Sequence, residues 1–189
     1  MMPLNRLEDE LRDRQTDWWD RLTETIPELL PLAETAQPPE FHAEGDVATH
    51  TRLAIEACPT DCDPDLLWVA LLHDIGKPAT TRQSEDGRIT AYGHAKLGTE
   101  MADDILERLG MPTRRHERIL WAIRHHLFHH SWQLRKAEDL SKRQRKYMTD
   151  PNFPLLLEFL RIDTLASQGN SHGMAAYTFY KKLWKSMPR

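Results

Sequence analysis

A histidine and an aspartate, His73 and Asp74, close a run that is otherwise wholly apolar, Leu66 to Leu72, and Gly76 and Lys77 follow at once. Burying an ionised carboxylate without a partner costs several kcal/mol, on the order of 3–5 when one partner is missing. A divalent cation offsets that cost, because imidazole nitrogen and carboxylate oxygen are ordinary ligands for zinc, iron, manganese and cobalt. Taken alone, the pair is also what a plain helix end offers: a histidine against the dipole and an aspartate capping a turn. Further positions weigh against the plain reading. His50 stands in GDVATHT, His94 in YGHAKLG, His125 and His126 in AIRHHL, and Asp163 in FLRIDTLAS. All fall where an apolar helical stripe gives way to polar sequence. Four of the ten histidines lie between His125 and His130, and histidine is the commonest metal ligand and general acid or base. The residue types therefore raise the question of a bound metal.

The elements that must position these side chains are helical. Leu4, Leu7, Leu11, Trp18 and Leu22 recur as one face of an amphipathic helix. Pro27, Pro31, Pro38 and Pro39 then end it. Residues 1–40 are expected to form a helical arm that packs on the rest or on a partner, with the main domain at 41–189. Asp46 caps a helix through Val47, Thr51, Ala54 and Ile55 to Pro59. Asp63-Pro64 opens the next, which is apolar all round and so central and buried, and which stops at Gly76 and Pro78. Gly76 is expected to let the backbone bend toward the site. Residues 79–93 are polar and carry the turn pair Asp86-Gly87, which predicts a short irregular ribbon. Helices are expected over about 94–109, 113–130, from about 138, through Leu155 to Ile162, and over about 172–186. The fold class is all-α, as one helical bundle.

Composition excludes several classes. With 40% hydrophobic residues the 189-residue chain can bury a core. No apolar stretch approaches the roughly 20 residues of a bilayer span, and the start, MMPLNRLEDELRDR, has no signal-peptide pattern. A soluble, cytoplasmic protein with no membrane partner is expected. Cys58 and Cys62 have no second pair, which argues against a disulfide framework or a zinc knuckle. A net charge of −4 does not mark a nucleic-acid binder. Arg114, Arg115 and Arg118, and the run Arg135, Lys136, Lys142, Arg143, Arg145 and Lys146, suit RNA phosphate or, equally, a solvated helix face. Asp61, Asp63 and Asp65 lack the glycine of a calcium loop and read as a loop with a helix cap.

The order His50, His73-Asp74, His94, His125-His126, Asp163 resembles the HD superfamily of metal-dependent phosphohydrolases. The segments FHAEGDVATHT, ALLHDIGKPATT, DGRITAYGHAKLGTEMADDILERLGMP and LRIDTLAS are similar to the HD domain of bacterial tRNA nucleotidyltransferases. A similar module is fused to polynucleotide kinases in RNA end-healing enzymes. The resemblance covers about residues 40–170 and implies an HD-domain bundle. It places His50, His73, Asp74 and Asp163 on one ion. Asp74 would bridge to a second, held by His94 and by His126, with or without His125. The cofactor would be one or two divalent ions of Fe, Mn, Co, Ni or Zn, with two favoured because the extra histidines are present. Such pairs stand roughly 3.5–4 Å apart, clamp the attacking and leaving oxygens of a phosphate ester and acidify a water.

Lys77 would meet a non-bridging phosphoryl oxygen, so Asp74 and Lys77 are the expected catalytic residues. Arg82 and Arg88, on the ribbon, would reach substrate phosphate. The expected function is hydrolysis of RNA 2′,3′-cyclic or terminal phosphates, or of nucleotides. The alternative is an HD-like module that binds RNA or a signalling nucleotide without turnover, or a subunit of an RNA-repair assembly docking through residues 1–40. The Gly-Ser segment and paired aspartates of a nucleotidyltransferase are missing, as is a GxxxxGK[ST] phosphate loop, so the hydrolase module is expected to stand alone. Arg161 is expected to pair with an acidic group near the site. His116, His129, His130 and His172 have no family counterpart and read as surface or packing residues.

Overall fold

The chain folds as an all-α bundle, because nearly every segment repeats its apolar residues at helical spacing. The computed structural model describes residues 2–132, 139–168 and 173–187; Arg135, Lys136 and His172 lie outside them. The order is α1 (Leu4–Asp13), α2 (Trp18–Thr25), a 3₁₀ segment (Pro27–Glu34), α3 (Val47–Glu56), α4 (Pro64–Leu72), α5 (Lys77–Thr80), β1 (Arg82–Gln83), β2 (Ile89–Thr90), α6 (His94–Arg108), α7 (Thr113–His125), α8 (Phe128–Ser131), α9 (Lys142–Met148), α10 (Phe153–Ala166) and α11 (Gly173–Ser186). Strands β1 and β2 pair antiparallel, Arg82 opposite Thr90 and Gln83 opposite Ile89, as the ribbon expected at 79–93. Among the described residues no helix is long and apolar enough to cross a membrane.

Helix α4 is the axis. Leu66 to Leu72 are all buried, and α1, α3, α7 and α10 pack around it. Asp63 caps its start by accepting from the Asp65 N–H. Each of its leucines contributes roughly 1.5–3 kcal/mol on burial, so the His-Asp pair follows directly on a wholly buried apolar run. Helix α10 serves two cores. Leu155, Phe159 and Ile162 face the α4 core, while Phe153, Leu156, Leu157 and Leu160 join Tyr177, Tyr180 and Leu183 of α11.

The single helix expected from Leu4 to Leu22 is two helices. Arg14 and Asp17 take positive φ (47° and 64°), and the chain folds back between them. The arginines before the bend hold it down: Arg12 donates to the Thr60 and Cys62 carbonyls, and Arg14 to the Ile55 carbonyl at 2.7 Å. Helix α2 ends at Thr25, just before Pro27, as the prolines require, and Pro27 and Pro31 then sit inside a 3₁₀ segment. Leu7, Leu11, Leu22, Ile26, Leu29 and Leu32 are fully buried in the same core as α3, α4, α6 and α7.

The expectation for Gly76 was a bend, and the structure gives a different reason. Its φ of −83° is open to any residue. A Cβ there would instead meet the His94 carbonyl oxygen at 2.5 Å and the Gly98 nitrogen at 2.6 Å, both backbone atoms of α6. The glycine lets the His-Asp turn touch the helix that carries His94. Gly76→Ala is expected to lower the unfolding free energy by about 2–3 kcal/mol through overpacking, measured by urea denaturation. A variant as stable as the native chain would show that α6 yields freely at this crossing.

Candidate metal centre

Histidines 73, 94 and 126 share one device. Each ring faces the backbone carbonyl three residues earlier through Nδ1: Ala70 at 3.0 Å, Ala91 at 2.7 Å and Ile123 at 2.7 Å. A carbonyl only accepts, so Nδ1 must carry the hydrogen, and in the neutral ring Nε2 then presents a bare lone pair. Burial pushes His94 down and holds His126 at about 3, so both rings are neutral at physiological pH. Their Nε2 atoms nevertheless face each other at 3.1 Å. Two lone pairs at that distance repel unless a cation lies between or beside them. The buried Nε2 of His73 has no hydrogen-bond partner.

These nitrogens converge on Asp74, whose carboxylate is divided between two groups. Oδ2 lies 3.1 Å from His73 Nε2, and His73 Nε2 lies 3.7 Å from Asp163 Oδ1. His50 Nε2 lies 3.0 Å from that same Asp163 oxygen. On the other side Oδ1 lies 3.4 Å from His94 Nε2 and 4.0 Å from His126 Nε2. Bonds of about 2.0–2.2 Å around one ion space its ligand atoms roughly 3–3.5 Å apart. The donor set fits divalent cations, and the two groups share Asp74.

The charges point the same way. Burial opposes ionisation of Asp74, yet His73 and Lys77 hold its carboxyl well below the usual range. Burial likewise opposes Asp163, and His50 lowers it. His50 has a carboxylate on each ring nitrogen, since Nδ1 meets Glu44 at 2.8 Å. Burial would push His50 down, but Asp163 and Glu44 outweigh it and raise it to about 9. Glu44 falls to about 2, held by His50, its own backbone and His42 against the effect of burial. Two carboxylates, Asp74 and Asp163, thus line one cavity of about 490 Å³ that also receives Lys77, with Glu44 behind His50. The Lys77 ammonium donates to Gln37 Oε1 at 2.6 Å and lies 2.7 Å from Asp74 Oδ2.

Local sequence explains the placement. Asp46 caps α3 by accepting from the Thr49 N–H at 2.8 Å, and His50 follows one turn on. Gly93, at φ 84°, turns the ribbon into α6 so that His94 begins the helix beside the cavity. Residues 119, 122, 123 and 126 fall on one face of α7, so His126 points inward with Ile119, Ala122 and Ile123. His125 points elsewhere, its ring 4.8 Å from Trp121 and 5.1 Å from Tyr147. The structure therefore sets His125 apart from His50, His73, Asp74, His94, His126 and Asp163, which it brings together.

Arg82 and Arg88 are exposed on the ribbon and line a surface hollow that shares Thr90 and Tyr92 with the cavity, though neither arginine lines the cavity itself. Arg82 donates instead to the Ala79 and Thr81 carbonyls. The helix expected over 113–130 breaks after His125, and α8 starts at Phe128. That break turns His129 and His130, expected at the surface or in packing, into the cavity wall. Arg161 pairs with Glu158 on its own helix. Arg115 and Arg118 clasp the buried Asp65, which leaves the helix-face reading for them.

Sequence reasoning passed over His42, Glu44 and Gln37. They sit in an irregular loop whose position is set by distant partners: the Ala43 N–H donates to the Gln168 carbonyl, and the Gln168 N–H to Glu44. The only local sign was the closeness of His42 and Glu44 to His50 in FHAEGDVATHT; Gln37 lies before that segment.

A family model described as "HD domain" matches residues 46–154, more than half of the chain. An A-adding tRNA nucleotidyltransferase of Deinococcus radiodurans is 32% identical over 151 residues, 78% of this chain and 33% of that protein. A multifunctional CCA protein of Alkalilimnicola ehrlichii is 33% identical over 118 residues, 61% of this chain and 28% of that protein. One of Acinetobacter baumannii is 27% identical over 135 residues, 66% and 32% respectively. The chain spans about a third of the length of these curated relatives.

Proposed function

This chain belongs to the HD domain family, and on that basis we propose that it is a metal-dependent phosphoric ester hydrolase acting on RNA 2′,3′-cyclic or terminal phosphates or on nucleotides. The observation that carries the reading is the convergence of imidazole Nε2 lone pairs on both oxygens of Asp74. His50, His73, Asp74 and Asp163 would hold one divalent ion, and Asp74, His94 and His126 a second. When bound, such ions polarise phosphoryl oxygens and lower the pKa of water. The remaining work falls to the chain. Asp74 keeps the two ligand groups in one frame, and Glu44 fixes the ring of His50 through Nδ1. Lys77, beside Asp74 at the cavity, would neutralise charge that builds on the phosphoryl oxygens. A relative named as an A-adding tRNA nucleotidyltransferase supports an RNA-end substrate.

The test is hydrolysis of cyclic phosphates, monophosphates and phosphodiesters by metal-free protein reloaded with Fe, Mn, Co, Ni or Zn. Metal-dependent release of product is expected, and binding without turnover under every metal would replace this reading with that of a binding module. In the same assay Lys77→Ala should retain its metals while kcat falls roughly 10²–10³-fold. A native rate would leave Lys77 only the task of balancing Asp74.

A further inference from the structure

Few large apolar side chains stand in solvent on this protein. Among the described residues they are Leu30, Phe41, Tyr92, Leu127 and Leu165, and three of the five line the one cavity that holds the His/Asp cluster. Two of those three are aromatic: Phe41 is 56% exposed and Tyr92 is 82% exposed. Exposed rings gathered at one site mark recognition rather than folding.

The backbones beneath both rings are fixed. Phe41 and His42 donate their N–H groups to the Pro38 carbonyl at 3.1 and 3.0 Å, and His42 enters the Glu44–His50 chain of contacts. Tyr92 lies between Ala91, whose carbonyl takes the His94 ring N–H, and Gly93, whose φ of 84° makes the turn. Each ring is therefore one or two residues from a side chain of the candidate metal centre, on a turn that the centre itself holds. A phosphate ester seated at Asp74 would carry its remaining groups out past them.

We propose that Phe41 and Tyr92 are a stacking platform for the nucleobase of the substrate, so that the site takes nucleoside phosphates in preference to base-free phosphate esters. The proposal rests on the hydrolase reading above and names the substrate class for it. A ring face stacks on any base without reading its hydrogen-bonding edge, so adenine and uracil substrates are both accepted. A cavity of about 490 Å³ is within the range of small-molecule sites.

The experiment compares adenosine and uridine 2′,3′-cyclic phosphates with the base-free 1-O-methylribose 2,3-cyclic phosphate, using the full metal-loaded chain. Kinetics and equilibrium binding are measured for the native protein, Phe41→Ala, Tyr92→Ala and Tyr92→Phe. Because both positions are exposed, these variants spare the core. The native chain should favour the nucleotides. Tyr92→Ala and Phe41→Ala should raise KM for them by roughly 5- to 150-fold, the range for losing one stacked ring. Tyr92→Phe should keep native KM, and the loss on the base-free ester should be at least fivefold smaller. Equal losses on both substrate types, or a native chain indifferent to the base, would overturn the platform while hydrolysis itself stands. If no ester is cleaved, the hydrolase reading fails and binding decides: Tyr92-dependent affinity for the nucleotides alone upholds the platform, and equal affinity for the base-free ester overturns it.

Discussion

Asp74→Asn is expected to bind neither ion stoichiometrically and to hydrolyse phosphate esters at least 10³-fold more slowly than the native chain. The reason is position. Oδ2 serves the group of His73 and Asp163, and Oδ1 the group of His94 and His126. Asparagine keeps the shape but removes the charge and replaces one oxygen by a donor nitrogen, which repels a cation. Losing several kcal/mol of transition-state stabilisation corresponds to a thousandfold or more in rate. Lys77 keeps Gln37 as an acceptor, so the variant should stay folded. Metal content after dialysis and a far-UV circular dichroism melt separate loss of ligation from loss of structure. Two ions retained by Asp74→Asn would remove this residue from the centre.

The second large effect distinguishes neighbours. His126→Ala should lose the ion on the His94 side and slow hydrolysis by about 10³-fold, again several kcal/mol. His125→Ala should keep metal content and remain within about tenfold of the native rate, since its ring packs on Trp121 and Tyr147 rather than facing Asp74. His126 is fully enclosed, with its ring 5.5 Å from that of His73 and 5.1 Å from that of His94. Metal stoichiometry by elemental analysis, paired with steady-state rates, checks both. A His125→Ala protein that drops to one ion would show that the C-terminal turn of α7 rearranges around the metals.

The sequence alone determined the helical character of nearly every segment and the character of α4, but not the breaks after Asp13 and His125. Apolar spacing is a local property, and a segment apolar on every side can only be interior, so the placement of His73 and Asp74 beside the core was legible from Leu66 to Leu72. Caps at Asp46 and Asp63 were legible for the same reason, since a cap bonds within its own first turn. The choice between His125 and His126 was also present in the spacing of residues 119, 122, 123 and 126, although the pair written side by side obscured it.

Tertiary structure decided what depends on contacts between distant segments. Gly76 reads as a hinge until α6 is laid across it, and only then does the missing Cβ matter. The bend at Arg14–Asp17 follows from carbonyls at residues 55, 60 and 62 that no local pattern announces. Glu44 enters the site because Gln168, at the far end of α10, holds its loop there. Arg82 and Arg88 lie close in sequence to His94, yet they line the adjoining hollow, which meets the cavity at Thr90 and Tyr92, and not the cavity itself. Periodicity fixes which face of a helix is buried, but where that helix crosses its neighbours, and which irregular loop is drawn into the gap between them, depends on close packing across the whole chain.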